Sequence, residues 1–433
     1  MIRRIYIDGY KSLEKLEVRL RPLSVLFGPN AAGKSNFLDA VQLLSRMVNA
    51  PTLKHAFESP HRGNALESFR FGPEGMAGHL AKERISFSME VDVELSESTI
   101  LAVEKQIFEM RKGNGGESTQ PGHYIKERLL RYRLEVEILP QSGVLRVCDE
   151  SLSALKANGE LKSSRNPFLE KKEGKLSLRM EGQSHPIFHE VGLDHTLISR
   201  PHYPPHYPHL VAFRKELAGW FCFYFEPRER MRASNPVKEV RHIGLMGEEL
   251  AAFLNTLKNL EPAQFNAVEK SLHLLLPRIE KVLVTVNNLG EVELQVREDG
   301  ISVPARLLSE GTLRMLGLLA VGGAKEPPTL VAFEEPENGI HPRRIELIAK
   351  FLETRTRMGK TQFLVTTHSP TLADLLPDEA LFVCTREDGR TAIKPFRPEG
   401  ELFRKSNVAS ALDDSAEREG KISERILRGD FDA

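Results

Sequence analysis

The stretch Gly28-Pro29-Asn30-Ala31-Ala32-Gly33-Lys34-Ser35 decides how the rest of this 433-residue chain is interpreted. It is a complete G-x-x-x-x-G-K-S motif. The apolar run 23–27 before it predicts a buried strand, and an amphipathic helix is expected to begin near Lys34. In that setting the glycines let backbone N–H groups and the helix N-terminus point at phosphate oxygens. An ordinary glycine-rich turn would need neither the strand nor the helix, so the stretch predicts a phosphate-binding loop.

The loop also predicts a nucleotide and a metal ion, ATP and Mg²⁺. We expect Lys34 to bridge the β- and γ-phosphates and Ser35 to ligate the metal. The residues expected to contact the nucleotide from this loop are Gly28, Asn30, Ala31, Ala32, Gly33, Lys34, Ser35 and Asn36.

A second motif is an apolar strand that ends in adjacent acids, Leu330-Val-Ala-Phe-Glu334-Glu335-Pro336-Glu337. Such a strand delivers carboxylates to the edge of a sheet beside a phosphate-binding loop. Glu334 is expected to hold Mg²⁺, and Glu335 is expected to act as the general base for the attacking water. A solvated acidic loop is the alternative, and the presence of the phosphate-binding loop disfavours it.

Two weaker motifs follow the same logic. Leu308-Ser309-Glu310-Gly311-Thr312 heads a predicted helix, where a hydroxyl and free N–H groups offer an anion site, although a plain N-cap is the commoner meaning. The segment 366–370 (TTHSP) follows a predicted buried strand and places His368 where it could contact a γ-phosphate or the attacking water. A lone histidine is more often an ordinary polar group.

Taken in chain order, the four motifs resemble the ATPase head of ABC-type proteins. The chain is similar to stand-alone ATPases of the OLD/RecF/SMC-like branch, of the AAA_21 type. The segments that carry the resemblance are I-x-G-Y-K-S-L before the loop, GPNAAGKSN, LSEGTLRML, FEEPENGIHP and TTHSP. They cover about 1–45 and 300–370, whereas 85–245 is covered only loosely.

The resemblance implies an α/β fold: a P-loop NTPase of the ABC-type head, with a mixed sheet, an antiparallel β lobe and an α/β insertion. The expected organisation is 1–95 and 246–398 as the two parts of the head, 96–245 as the insertion and β/helical lobe, and 399–433 as a tail. Residues 50–83 are rich in Gly, Pro, His and Ser and are expected to form a loop with little regular structure.

The resemblance also implies roles for individual residues. Lys11 and Ser12 lie where such heads touch the nucleotide. Ser309 and Gly311 match the signature that contacts the γ-phosphate on the opposite subunit, and His368 matches the switch histidine. The implied catalytic set is Lys34, Glu335 and His368. Glu334 stands where Asp is commoner, Asn338 falls in the dimer-facing loop, and Gln141 is a Q-loop candidate by its position after a strand.

The expected function is therefore that of a Mg²⁺-dependent ATPase and ATP-dependent dimeric switch, with a second copy of the chain as partner. DNA repair or anti-phage defence is the expected setting, with DNA and a separate nuclease or TOPRIM-type effector as further partners. A transporter ATPase subunit and a nucleotide-gated scaffold with little turnover stay open as alternatives. The resemblance is expected not to extend to the C-terminal TOPRIM nuclease of full-length OLD proteins, because 63 residues follow Pro370.

The composition limits which partners and which cellular location are expected for the protein. Lys plus Arg and Asp plus Glu both total 60, so bulk charge does not favour coating nucleic acid or an anionic membrane. The basic stretch 227–242 is interpreted as a solvated face rather than a DNA-facing patch. Three scattered cysteines and the lack of a signal-like or membrane-spanning apolar run predict a cytoplasmic protein with no membrane partner.

Overall fold

A computed structural model describes residues 1–113, 123–183, 185–323 and 327–396, so the predicted tail 399–433 lies outside the described residues. Within these ranges the chain forms eighteen strands and ten helices. The strands are β1 (Ile2–Asp8), β2 (Leu16–Arg19), β3 (Leu23–Phe27), β4 (Ile85–Glu94), β5 (Leu129–Leu139), β6 (Val144–Ala154), β7 (Leu169–Lys172), β8 (Lys175–Leu178), β9 (Ile187–Glu190), β10 (Trp220–Phe223), β11 (Asn235–Pro236), β12 (Ile279–Val286), β13 (Glu291–Glu298), β14 (Ile301–Pro304), β15 (Leu330–Glu334), β16 (Gln362–Thr367), β17 (Leu381–Glu387) and β18 (Arg390–Pro395). The helices are α1 (Lys34–Asn49), α2 (Leu53–Ala56), α3 (Gly75–Leu80), α4 (Glu97–Gly113), α5 (Pro208–Ala218), α6 (Leu250–Leu260), α7 (Pro262–Leu275), α8 (Glu310–Gly322), α9 (Ile345–Arg357) and α10 (Pro370–Asp374).

The larger sheet is antiparallel, with the strand order β2-β1-β4-β5-β6-β7-β8-β9. Burial alternates along its long strands: β5 buries every second residue, as expected when one face packs on a core. That face belongs to a core cluster shared with helices α1 and α5. Apolar and polar residues alternate in the sequence before residue 23 and predict two short strands, which are β1 and β2 of this sheet.

The smaller, mixed sheet carries the loop. Its order is β10-β15-β16-β3-β17-β18, and all neighbours are parallel except the β17–β18 hairpin. Every residue of β3 and β16 is buried, which explains why neither strand shows the apolar–polar alternation of a half-exposed strand. Glu334 pairs in register with Thr366, and Phe27 pairs with Thr367. The carboxyl ends of β15, β16 and β3 therefore meet at one edge.

A third sheet of four strands, β11 to β14, packs with α6, α7 and α8 in a second core cluster. Its central hairpin, β12 and β13, confirms what the strand patterns 281–286 and 291–296 and the turn 287–290 predict. The apolar density of residues 220–225 predicts a core strand, and the structure confirms it as β10. This strand lies inside the range 96–245 but pairs in parallel with β15 in the mixed sheet.

The expectation for residues 50–83 was wrong in part, because this stretch contains α2 and α3. Leu53 and Ala56 of α2 are buried in the same core as α1, and this packing stabilises a helix too short to form alone. No helix in the described part of the chain is long and apolar enough to cross a membrane.

Candidate nucleotide-binding site

The turn between β3 and α1 has the backbone shape of a phosphate-binding loop. Gly33 has φ 105°, and Ala31 has φ 64°. A Cβ built on Gly28 would lie 2.1 Å from the carbonyl oxygen of Cys384, and one built on Gly33 would lie 1.9 Å from Thr391 Oγ1. Both glycines of the motif are therefore required by contact as well as by conformation.

The outer wall of the loop comes from the β17–β18 hairpin, which the sequence did not reveal. Thr391 Oγ1 donates to the carbonyl of Ala32 at 3.0 Å, and an Arg386 guanidinium nitrogen donates to the carbonyl of Ala31 at 3.2 Å. The Cys384 thiol lies 3.6 Å from the Ala32 carbonyl oxygen. These contacts hold the carbonyls of Ala31 and Ala32 toward the β17–β18 hairpin.

Lys34 is a buried cation inside the loop. Its Nζ donates to the carbonyls of Gly28 at 2.8 Å and Pro29 at 2.9 Å, and the residue is 6% exposed. Burial lowers the pKa of Lys34, and the carboxylates of Glu335 and Glu334 oppose that shift. The ammonium group thus lies among backbone groups and acids at the edge where phosphate is expected.

Ser35 and Glu334 meet although 299 positions separate them. The Ser35 hydroxyl donates to Glu334 Oε1 at 2.5 Å. A hydroxyl and a carboxylate oxygen side by side are the ligands that Mg²⁺ takes beside a nucleotide, so the donor set fits this metal. Among the described residues no group of three or more His, Cys, Asp and Glu side chains could hold a metal ion alone.

Arg62, which the sequence did not single out, lies at the same edge. Its guanidinium forms an ion pair with Glu334, and its Nε lies 3.1 Å from Asp39 Oδ1. Burial works against its charge, but the carboxylates of Asp39 and Glu334 outweigh it and raise the pKa of Arg62. The loop between α2 and α3 therefore brings a half-exposed cation to the predicted metal ligand.

Lys11 and Ser12 also lie beside the loop, and their contacts are with protein groups. Lys11 Nζ lies 2.8 Å from Asp39 Oδ2. The Ser12 hydroxyl lies 2.7 Å from Thr391 Oγ1 and accepts a hydrogen bond from the Asn36 side-chain amide, also at 2.7 Å. Their contact with a nucleotide stays a prediction.

The predicted general base and the predicted switch histidine are in direct contact. His368 Nδ1 lies 2.8 Å from Glu335 Oε1. Glu335 has φ 48°, and its backbone N–H donates to the Thr366 carbonyl at 2.9 Å. A left-handed conformation in a non-glycine residue is a strained one, and such residues cluster at functional sites.

The signature segment, residues 308–312, lies at the N-terminus of α8, a helix of the second core cluster. Ser309 caps α8, and its hydroxyl accepts from the Thr312 N–H at 3.1 Å. A Cβ on Gly311 would lie 3.4 Å from the Gly339 carbonyl oxygen, in the loop after Glu335. Within the described ranges no hydrogen bond joins Ser309 or Gly311 to residues 28–35.

Two other predicted positions are placed by the structure. Asn338 is exposed, and its N–H donates to the Glu335 carbonyl at 3.1 Å. Gln141 lies in the connection between β5 and β6, where its side-chain amide donates to the Leu80 carbonyl at 2.6 Å. That connection belongs to the antiparallel sheet and not to the edge that carries Glu334.

A mixed sheet with a glycine-rich loop after a central strand, and with paired acids at the end of a strand two positions away, is the arrangement of a P-loop NTPase. Residues 23–107 and 189–374, more than half of the chain, match the family AAA_21, described as "AAA domain, putative AbiEii toxin, Type IV TA system". The chain belongs to this family.

A curated relative and two solved structures are similar to the chain. The relative is an OLD nuclease from Thermus scotoductus, 22% identical over 413 residues, which are 92% of this chain and 65% of the nuclease. The chain thus spans less than two thirds of that relative. One solved structure, the SmcHead bound to the C-winged helix domain of ScpA, superposes with a TM-score of 0.51 at 12% identity, covering 90% of this chain and 97% of the other. The SMC head domain from Thermotoga maritima gives a TM-score of 0.42 at 14% identity, covering 92% and 99%.

Proposed function

We propose that the chain binds ATP with Mg²⁺ and hydrolyses it at the edge formed by β3, β15 and β16. The observation that carries this proposal is the junction of two pairs at that edge: Ser35 with Glu334, and Glu335 with His368. The first pair supplies oxygen ligands, and the second supplies a base held by a neighbouring imidazole.

The chain's own groups would act as follows. Lys34 leaves the carbonyls of its loop and pairs with the β- and γ-phosphate oxygens, while the N–H groups of the loop hold the same phosphates. Glu335 accepts a proton from the water that attacks the γ-phosphorus, and His368 orients the Glu335 carboxylate. Ser35 and Glu334 would hold Mg²⁺, which when bound neutralises charge on the phosphate oxygens.

We further propose that ATP joins two copies of the chain, so that Ser309 and Gly311 of one copy face the ATP of the other. The support is chemical: Ser309 lies at the N-terminus of a thirteen-residue helix, an end that favours anions. Ser309 itself is exposed, and Gly311 touches the loop after Glu335. Binding of ATP would then control association, which makes the protein a switch.

The switch would serve DNA repair or anti-phage defence, with nuclease activity supplied by a separate chain. The similarity to an OLD nuclease over 65% of that relative's length supports this assignment. DNA would be met by the dimer or by the effector, since the chain carries no net charge to attract it.

The test compares the wild type with Glu335→Gln, Lys34→Ala and a control, Glu346→Gln, which changes an exposed carboxylate on α9. We expect Glu335→Gln to bind ATP, to hydrolyse it about 10²-fold or more slowly, and to accumulate as a dimer. We expect Lys34→Ala to lose ATP binding and the control to match the wild type. Phosphate release, a fluorescent-nucleotide titration and light scattering measure these properties.

Each part of the proposal has its own contrary result. Tight ATP binding without hydrolysis by the wild type would favour the nucleotide-gated scaffold instead. A monomeric Glu335→Gln protein at saturating ATP and Mg²⁺ would contradict the shared site while leaving hydrolysis intact.

A further inference from the structure

Glu337 is a buried acid beside the site that the proposed chemistry does not use. It is the third carboxylate of the Glu-Glu-Pro-Glu segment and is 6% exposed. It accepts a hydrogen bond from the Thr367 hydroxyl through one oxygen, while its Oε2 is buried without a hydrogen bond of normal geometry in the described part of the chain. Burial raises the pKa of Glu337, although the Thr367 hydrogen bond opposes the shift. Burial of a carboxylate oxygen without a hydrogen bond costs folding free energy, which suggests that Glu337 has a role that offsets this cost.

Through Thr367, Glu337 is linked to the residues on both sides of His368 in the chain, Thr367 and Ser369. Thr367 is fully buried, and its hydroxyl also accepts the Ser369 N–H at 2.9 Å. Glu337 therefore fixes a turn whose middle residue is His368. The neighbouring strand end is tied to the same turn, because the Glu335 N–H donates to the Thr366 carbonyl. Among the described residues Glu337 forms no hydrogen bond with Glu335 or His368 and interacts with both only by charge, so its effect on their positions passes through Thr367.

The segment 335–340, which contains Glu337, also lies against α8, the helix that Ser309 caps. The Ile340 N–H donates to the Glu337 carbonyl at 2.9 Å, and a Cβ on Gly339 would lie 3.3 Å from Glu310 Oε2 and 3.9 Å from Arg314 Nε. Burial lowers the pKa of Arg314, and the charge of Glu337 is among those that oppose the shift. The segment 335–340 thus lies between α8 and the turn that carries His368.

We propose that Glu337 is a positioning residue: its carboxylate anchors Thr367, and this anchor sets the orientation of His368 against Glu335. The inference rests on the proposed function, since it assigns Glu337 a part in ATP hydrolysis. Side-chain placement of this kind matters because a small displacement of a catalytic pair is enough to slow chemistry by one to two orders of magnitude.

The experiment uses four variants of the full chain. Thr367→Val removes the hydroxyl at nearly constant volume, and Glu337→Ala removes the carboxylate. Thr367→Ser keeps the hydroxyl, and Glu346→Gln is the matched control on an exposed carboxylate. We expect the first two to lower kcat for ATP about tenfold or more with KM within about twofold, and Thr367→Ser to retain most of the wild-type kcat.

A second measurement does not depend on hydrolysis. Diethyl pyrocarbonate modifies accessible histidine nitrogens, and mass spectrometry reports the rate at His368, which is half-exposed. Loosening the turn frees Nδ1 from Glu335, so modification should be severalfold faster in Thr367→Val and Glu337→Ala than in the wild type, Thr367→Ser and the control. If the wild type hydrolysed no ATP, the proposed function would fail and this rate would still judge the position of His368.

Unchanged kcat together with unchanged His368 reactivity in Thr367→Val and Glu337→Ala would overturn the proposal. Equal rises in KM and losses in thermal stability with no change in kcat would also overturn it, because they would make Glu337 a purely structural residue. Should Glu337→Ala fail to fold, the nearly isosteric Thr367→Val decides the question.

Discussion

Gly33 is the residue at which the two ends of the chain and the phosphate-binding loop meet. It has φ 105°, and Thr391 of β18 lies directly against its Cα. The Thr391 hydroxyl is shared between the Ala32 carbonyl and the Ser12 hydroxyl. Together with Arg386 and Cys384, the Thr391 side chain therefore holds the loop from outside.

Gly33→Ala should weaken both the fold and ATP binding. The new Cβ would lie 1.9 Å from Thr391 Oγ1 in a backbone conformation that alanine disfavours. We expect a loss of about 2–4 kcal/mol in the free energy of unfolding from strain and overlap combined. Chemical denaturation and a fluorescent-ATP titration measure the two effects. Gly72→Ala is the control, because no atom lies within 4 Å of its Cβ, and equal behaviour of the two variants would contradict the expectation.

Short local motifs predict the residues expected to act on the nucleotide. They do not predict the residues that contact those side chains from distant parts of the chain. Lys34, Ser35, Glu334, Glu335 and His368 each stand in a short pattern with a known spacing, and the structure brings them to one edge. Arg62 and Thr391 stand in no such pattern. They reach the site through contacts across 272 and 359 positions, which only the folded topology determines.

At the scale of elements, a buried acid links the antiparallel sheet to the loop helix. Glu150 of β6 is fully buried and accepts hydrogen bonds from the N–H groups of Leu197 and Ile198 and from the Tyr132 hydroxyl. The neighbouring Thr196 donates to the Met47 carbonyl near the end of α1. Glu150 thus stabilises the segment 196–198, which contacts the C-terminal end of α1.

Glu150 should make stability depend on pH. Burial raises its pKa to about 7 from the ordinary 4.5, against the three hydrogen bonds. Because the folded pKa is the higher one, the contribution is fully present below pH 4.5 and is lost as pH rises through 7. We expect the Tm of the wild type to fall, relative to that of Glu150→Gln, between pH 5 and pH 8. Parallel Tm curves for these two proteins would contradict the assignment, and Glu346→Gln should follow the wild type throughout.

Elements with a strong local pattern were predictable, and those defined by distant pairing were not. The proline at 262 and the apolar stripe that follows it predict a helix over 262–275, and α7 has these bounds. The membership of β10 in the mixed sheet has no local signal, since a core strand looks the same in any sheet. Likewise β17 and β18 are ordinary alternating strands whose importance comes from Cys384 and Thr391 touching the loop.

At the scale of the whole molecule, balanced charge suits association of identical copies. With 60 basic and 60 acidic side chains, two copies approach without a bulk repulsion between them. The proposed dimer would then depend on the shared nucleotide rather than on general attraction.

A mixture of two inactive proteins tests the shared site directly. Lys34→Ala removes the phosphate-binding lysine but keeps the signature, and Ser309→Arg blocks the signature but keeps the loop. Each alone should be inactive. An equal mixture should recover about a quarter of the wild-type ATPase rate, because about half of randomly paired dimers are mixed and each has one intact site. An inactive mixture that nevertheless contains mixed dimers would contradict a site built from two chains.

The central position of β3 has a consequence for synthesis. Leu23 pairs with Phe363 on one side, and Val25 pairs with Leu381 on the other. A ribosome adds about 5–20 residues per second, so β3 waits on the order of tens of seconds for both neighbours. Throughout that interval a strand with four apolar residues out of five has two unpaired edges, and such an edge can pair with strands of other chains. The nascent protein should therefore need protection from aggregation while β3 is unpaired, and the loop gains its outer wall only after Thr391 has been synthesised.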